Sequence, residues 1–529
     1  MSQRAPTIEE AGAQVRRAIA DGRIAAAEQL CQRILAASPN HAETMGLLAV
    51  ILLRLGQPDT AAEWLSRAVA RKPAAAANYI VAFARTLLEL GYPEDALAAS
   101  DEALRHKPNL AEALQAKGHA LSDLGRSREA VNAYATAFRL KPSLYDIQNN
   151  LALALRESDQ LEAAEPIFRQ AAARAPRDVM LRANHASVLK DLGRLEAAEI
   201  VYREALRLEP GHAPEEAILR YNLGILLLLA GRLGEAWPEY AWRFAAGAVP
   251  DRNFPQPIWA GEALAGRTLL IHAEQGLGDT IQMARYLPLL PRDGAIVIEA
   301  PRALVRLLAG FPRLRVVQLG DALPNFDLQC AMMSLPAIFG TELASIPADI
   351  PYLRADATRV AHWRRLVSGL PGRAVGLAWA GNPDDVRLDR KRSIALDVLA
   401  PLAKIPGLSF VSLQPGKPGE QLAVSALGSA TRDWTAELSD LAETASLIEA
   451  LDLVITVDTA VAHLAGALGR PVWLLNRFDT DWRWLLERED SPWYPTLRQF
   501  RQASPGDWAG VVNRVAAALQ ADGNQTTLV

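Results

Sequence analysis

Over the first 247 positions apolar residues return every three or four residues. LLAVILLRLG (47–56) and ALQAKGHALSDLG (113–125) are typical stretches. That period predicts amphipathic helices stacked through an apolar stripe. Beyond Pro250 the rhythm changes. Proline-rich NFPQPIW leads into short apolar runs, RTLLIHA, AIVIEA and RVVQL, alternating with helical stretches such as GDTIQMARYLPLL and RALVRLLAGF. A second series, AVGLAWAG, FVSLQPG, LVITVDT, AVAHLAGALG and PVWLL, follows a helical separator, VAHWRRLVSGLPGR. Strand–helix alternation of this kind predicts parallel sheets wrapped by helices, here as two α/β units facing a cleft.

The helical half is punctuated. Prolines stand at 39, 73, 108, 142, 176 and 210, and glycines at 22, 56, 91, 125 and 193 each precede one of them by 17 residues. Each unit reads as helix, Gly turn, helix, Pro turn. Glycine ends the first helix in a left-handed conformation, and proline closes the second. Small residues after the turn (Ala27, Ala61, Ala62, Ala96 and Ala130) allow close helix approach. In RESDQLEAA, Asp159 takes the glycine's place, a conformation that Asp tolerates. The pattern resembles the tetratricopeptide repeat family over about residues 8–247 and implies an α solenoid. The last unit keeps Gly231 but lacks the proline 17 residues on, and its second helix, GEAWPEYAWRF, is aromatic. That suits a capping hairpin joined to the next module. The concave groove of such an array holds a peptide or protein, or else serves as a spacer. Asn149 or Asn150, then Asn184 and Asn222, recur near the repeat spacing. Amides in such a series (Asn150, Asn184, Asn222) can clamp an acceptor backbone or bond neighbouring helices.

Length and composition narrow the class. The chain has 529 residues, 50% apolar and 22% charged, with a net charge of −4. About three folding units are expected, with no basic excess for nucleic acid. Cys31 and Cys330 are too few and too far apart in sequence for a disulfide framework. No secretory signal or spanning segment is read, because the longest apolar runs, 47–53 and 225–230, are short. The expectation is a cytoplasmic, soluble protein with an N-terminal α/β half at 250–355 and a second at 370–520.

Ligands of open parallel sheets bind where strands turn into helices, so three turns carry the candidate chemistry. In HAEQGLGDTIQ, Gly276 and Gly278 free the backbone to approach an anion, and Asp279 is either a helix cap or a general base. In VITVDTAVAHLAGALG, Asp458 and Thr459 cap a helix whose N-terminus suits a phosphate. His463, one turn on, is expected at the cleft mouth or on the surface. The third turn, Asn382-Pro383-Asp384-Asp385 followed by Arg387, Arg390, Lys391 and Arg392, reads as a cationic loop fit for a diphosphate, or as a solvated loop.

Taken together, residues 265–515 resemble glycosyltransferase family nine, the heptosyltransferase group, with a GT-B fold. Leu277-Gly278-Asp279 matches that family's first-strand motif, with Gly276 replacing its Ser. Asp458-Thr459-Ala460-Val461-Ala462-His463-Leu464 matches its late D-T-x-x-x-H-L motif. With the repeats, the chain resembles bacterial repeat-plus-glycosyltransferase proteins, some of them similar to flagellin glycosyltransferases. The resemblance implies Asp279 as the base of an inverting transfer and Arg392 beside the leaving phosphate, with Arg390 and Lys391 competing for that role. It implies Gly276, Gly278, Asn382, Lys391, Asp458, Thr459, Ala460 and His463 around a nucleotide-sugar donor, without a metal or a further cofactor. The acceptor it implies is a protein or peptide held by the repeats. Two alternatives stand beside it, a transferase acting on a glycan or lipid and a non-catalytic scaffold. The motifs of the O-linked N-acetylglucosamine transferases, which join the same repeats to a GT-B module, are not found. The tail DTDWRWLLEREDSPWYPTLRQFRQ departs from the heptosyltransferases. Its Trp482, Trp484 and Trp493 either shape a pocket or pack a core.

Overall fold

The computed structural model describes residues 7–142, 145–208, 213–382 and 386–526. Seven helical hairpins occupy the first part of the described chain: Ile8–Ala20 with Ile24–Ala37, Ala42–Arg54 with Pro58–Arg71, Ala76–Glu89 with Pro93–His106, Ala111–Asp123 with Ser127–Leu140, Tyr145–Glu157 with Leu161–Arg174, Val179–Asp191 with Leu195–Leu208, and Ala213–Leu229 with Leu233–Tyr240. The turn residue is left-handed as the pattern requires, with φ 81° at Gly91 and 63° at Asp159. Pro210 lies outside the described residues. Ala27, Ala61, Ala96 and Ala130 are fully buried between their paired helices, while Ala62 faces solvent.

The chain divides into two compact units, residues 1–176 and 177–529. The boundary falls inside the repeat array, after the fifth hairpin, and not where the 34-residue rhythm stops. The first unit has its own apolar clusters, one of them built on Val15, Ala27, Cys31, Met45, Leu48, Ile51, Ala61 and Leu87.

The second unit holds the last two hairpins and two parallel sheets. One sheet has the order β3-β2-β1-β4, from β1 (Thr268–His272), β2 (Ala295–Ala300), β3 (Leu314–Gln318) and β4 (Leu328–Ala331). The other has the order β10-β9-β8-β5-β6-β7, from β5 (Arg373–Ala378), β6 (Leu408–Ser412), β7 (Thr431–Arg432), β8 (Leu453–Val457), β9 (Val472–Asn476) and β10 (Leu497–Arg501). β1, β8 and β9 are almost wholly buried, as parallel strands covered on both faces must be. A continuous apolar cluster runs from Val179 and the last hairpins, through Leu226, Trp237 and Tyr240, into both sheets. The far face of the second sheet packs under the C-terminal helix Trp508–Thr526 through Val511, Val515 and Leu519.

Strand order reverses beside β1 in the first sheet and between β5 and β8 in the second. Crevices at the carboxyl ends of parallel sheets open at such reversals. The turns after β1, β5 and β8 leave from these points, and they are the three turns singled out from sequence. The two halves are tied together by Arg285, a buried arginine whose Nη1 donates to the Trp493 carbonyl (2.8 Å) and the Pro347 carbonyl (3.1 Å).

Candidate functional site

The turn after β1 is held from both sides by the end of the repeat array. Glu274 pairs with Arg243 at 2.9 Å, both side chains 2% exposed, and also accepts from the Met333 N–H. Burial raises the Glu274 carboxyl against the pull of Arg243. Next to it, Gln275 donates to the Tyr240 hydroxyl at 2.7 Å. Tyr240 and Trp237, from the last repeat helix, meet the Trp482 ring at 6.5 and 6.1 Å. Trp237 also donates its indole N–H to the Thr341 carbonyl at 2.8 Å. The aromatic helix read from sequence as a cap is thus welded to the module that follows it.

Gly276 caps the helix Leu277–Met283, and its N–H donates to Asp279 Oδ2 at 2.8 Å. The other Asp279 oxygen takes an ion pair from Arg483 Nη2. The Asp279 side chain remains 22% exposed, so it can be reached from solvent. Each carboxylate oxygen has a second lone-pair direction for a further donor.

The late turn meets this one directly. A Cβ built on Gly278 would lie 2.7 Å from His463 Cδ2, so glycine is what lets the two helix tips approach. Thr459 caps the helix Ala460–Ala467 by accepting from the Val461 N–H at 3.3 Å, and Asp458, Thr459 and Ala460 are half-buried. His463 is not at a cleft mouth or on the surface, as read from sequence. It is 4% exposed, with Nδ1 on the Tyr494 hydroxyl at 2.9 Å and its ring stacked on Trp484 at 5.2 Å. Burial, then the nearby Arg483 charge, depress its pKa to about 3. The imidazole is therefore neutral at ordinary pH and offers a phosphate no positive charge. The five-residue step from Asp458 did not fix the ring's direction, because the aromatic tail folds over it.

The basic segment after β5 is a helix, Val386–Arg392, and not a loop over its whole length. Pro383, Asp384 and Asp385 lie outside the described residues. Asn382 is exposed next to Gly381, whose N–H donates to Asp389 Oδ1 (3.1 Å) and Ser393 Oγ (2.9 Å). Lys391 is paired with Asp479 at 2.7 Å. Arg392 is half-buried against Gly381, and its buried Nε has no hydrogen-bond partner among the described residues.

The turn after β9 supplies groups that the sequence reading missed. Arg477, Asp479, Asp481 and Arg483 follow the strand directly. Arg477 Nε lies 3.7 Å from Asp479. Asp481 accepts from the Arg483 N–H (3.0 Å) and Nη1 (2.8 Å). Two neighbouring carboxyls are pushed apart here. Burial, then the Asp481 charge, raise the Asp458 carboxyl against Arg477 and Arg483. Burial opposes ionisation of Asp481 as well, but Arg483 brings it below its usual range. Trp482, Trp484 and Trp493 are all buried, so all three pack the core. The one available signal was position: β9 neighbours β8, so its carboxyl end opens on the same crevice.

The three repeat amides fall in both units. In the first, Asn150 Nδ2 bonds the His119 ring at 2.8 Å across neighbouring hairpins, which is the interhelix arrangement. Asn184 and Asn222, in the second, are half-buried on the first helices of the last two hairpins.

Residues 18–82, 115–179 and 184–249 match tetratricopeptide repeat models. Residues 432–475, which include β8 and the Asp458–His463 turn, match the model of glycosyltransferase family 9 (heptosyltransferase). Protein FlbA of Caulobacter vibrioides is 33% identical over 340 residues, covering 59% of this chain and 56% of FlbA, so the match spans little more than half of that relative. Among solved structures, MamA from Desulfovibrio magneticus is 23% identical with a TM-score of 0.29, covering 32% of this chain and 95% of its own. A tetratricopeptide repeat protein from Parabacteroides merdae is 19% identical with a TM-score of 0.35, covering 46% and 94%.

Proposed function

We propose that this tetratricopeptide-repeat chain with a family-nine glycosyltransferase segment moves a sugar from a nucleotide-sugar donor to a hydroxyl of a protein acceptor held by the repeats. The observation that carries the reading is the meeting of two helix tips at the strand-order reversals, Gly276–Asp279 against Asp458–His463. The second of them lies within the family-nine match.

In this reading Asp279 takes the proton of the acceptor hydroxyl. The freed oxygen attacks the anomeric carbon from the face opposite the diphosphate. The new C–O bond forms as the bond to the leaving phosphate oxygen breaks, and the configuration inverts. The leaving charge is received by Arg392 and by the open N–H groups of the Thr459-capped helix. The chain's own groups suffice for this step without a metal ion.

The rival reading, a scaffold that binds a nucleotide sugar without turnover, draws on the capping bond and ion pair that Asp279 already makes. Asp279→Asn separates the two. Purified wild type and variant are incubated with a panel of nucleotide sugars, and thermal shift and donor hydrolysis are followed. A donor at about 100 times its Kd stabilises the fold by about 2.7 kcal/mol. We expect one donor to stabilise both proteins and the variant to hydrolyse it about 10² to 10⁴ times more slowly than the wild type. Stabilisation with equal, negligible turnover in both supports the scaffold, and no stabilising donor sinks both readings.

A further inference from the structure

We propose that Arg483 is the positioning residue that orients Asp279 for proton transfer. This rests on the transferase reading above. Arg483 belongs to the second α/β half, yet among the described residues two of its three side-chain hydrogen-bond partners belong to the first. Nη2 pairs with Asp279 and Nε donates to Gln282 Oε1 at 2.6 Å, while Nη1 holds Asp481 at 2.8 Å. The guanidinium carbon stands 4.3 Å from the Trp482 ring centre, and the side chain is 9% exposed. Every edge of the fork is therefore directed by a fixed group.

An exposed carboxylate pair of this kind would contribute little and hold little in place. This one is different, because the arginine is immobilised by stacking and by two other acceptors, whereas Asp279 keeps an open side. Asp279 Oδ2 is tied to the Gly276 N–H and Oδ1 to Arg483, so both torsions of the carboxylate are set. Gln282, fully buried, accepts from Arg483 through Oε1 and leaves its Nε2 without a partner among the described residues. Its amide is thus spent on aiming the arginine. Arg483 also lies within electrostatic reach of Asp458 and His463. An approaching acceptor hydroxyl meets a carboxylate held in one orientation, which is what positioning contributes to a proton transfer.

A double-mutant cycle on turnover in the full chain tests this, using the donor found with the panel above. Loss of a general base lowers kcat by about 10² to 10⁴. Arg483→Gln should lower kcat by about 10- to 100-fold and leave the donor KM within about twofold. In an Asp279→Asn background the same change should have no further effect. Arg483→Lys, which keeps the charge and loses the fork, should recover part of the rate. If Arg483→Gln does not fold, the cycle is run with Arg483→Lys, for which we expect a partial loss in the wild type and none in Asp279→Asn. Losses that multiply, a raised KM with kcat unchanged, or full activity in Arg483→Lys would overturn the positioning role and leave the base assignment standing. Full turnover in Asp279→Asn would overturn both.

Discussion

At the residue scale, His463 shows how a family motif position can be recruited for packing. Its ring is wedged between Trp484, Tyr494 and the bare backbone of Gly278. A free imidazole titrates near 6.5, and this one near 3. Between those values the unfolded chain binds a proton that the folded chain refuses. The stability contributed by keeping His463 neutral is therefore complete above about pH 6.5 and is lost as pH falls toward about 3. The slope approaches about 1.4 kcal/mol per pH unit. Urea unfolding at about pH 7.5 and about pH 5 checks this: His463→Gln should lose about 2 kcal/mol less than wild type across that interval. An identical loss in both proteins would show that the ring titrates normally. The sequence carried the motif but not the burial, because the covering rings come from a tail 21 and 31 residues downstream. Arg483 was illegible for the same reason. It stands 204 residues from Asp279, and no local period announces such a pair. The two carboxylates and the two glycines were legible because strand-to-helix turns restrict which residues can stand there.

At the element scale, the turn glycines of the repeats were readable because each punctuation mark has one physical job. Gly91 sits at φ 81° with nothing within 4 Å of a built Cβ, so its only role is conformational. Gly118 lies mid-helix, and a Cβ there would fall 2.6 Å from the Tyr134 ring, so its role is steric. Gly91→Ala should cost about 1–2 kcal/mol through backbone strain alone. Gly118→Ala should cost about 1–3 kcal/mol by displacing Tyr134, and Tyr134→Leu should relieve that second loss without touching the first. Thermal unfolding of the wild type, the three single variants and the two doubles that combine Tyr134→Leu with each glycine change measures both. The segment Val386–Arg392 shows the opposite case. VRLDRKR has no apolar stripe, so nothing in its pattern marks a helix. Its order comes from tertiary bonds, Gly381 to Asp389 and Ser393, and Lys391 to Asp479.

At the scale of the whole molecule, period and compactness disagree about where the repeats end. The rhythm runs to about residue 247, but the last two hairpins share one core with the sheets, from Val179 onward. A protein beginning at Arg177 should unfold cooperatively and still be stabilised by the donor. One beginning at about residue 248 loses Trp237, Tyr240 and Arg243, leaving Trp482 uncovered and the buried Glu274 without its cation. Stranding one partner of a buried pair costs about 3–5 kcal/mol, so the shorter protein should aggregate on gel filtration. A soluble, donor-binding protein from 248 would contradict the shared core. No helix among the described residues is long and apolar enough to cross a membrane.

The break at Pro176 also bears on how such a chain can diversify. Each repeat is one self-similar unit, and among the described residues the core that begins at Val179 draws none of its members from the first five hairpins. The hairpins behind Pro176 have no such independence, since Tyr240 and Arg243 are fastened to the turn that carries Asp279. Lineages should therefore vary freely in the number of leading repeats while keeping the last two in register with the turn after β1.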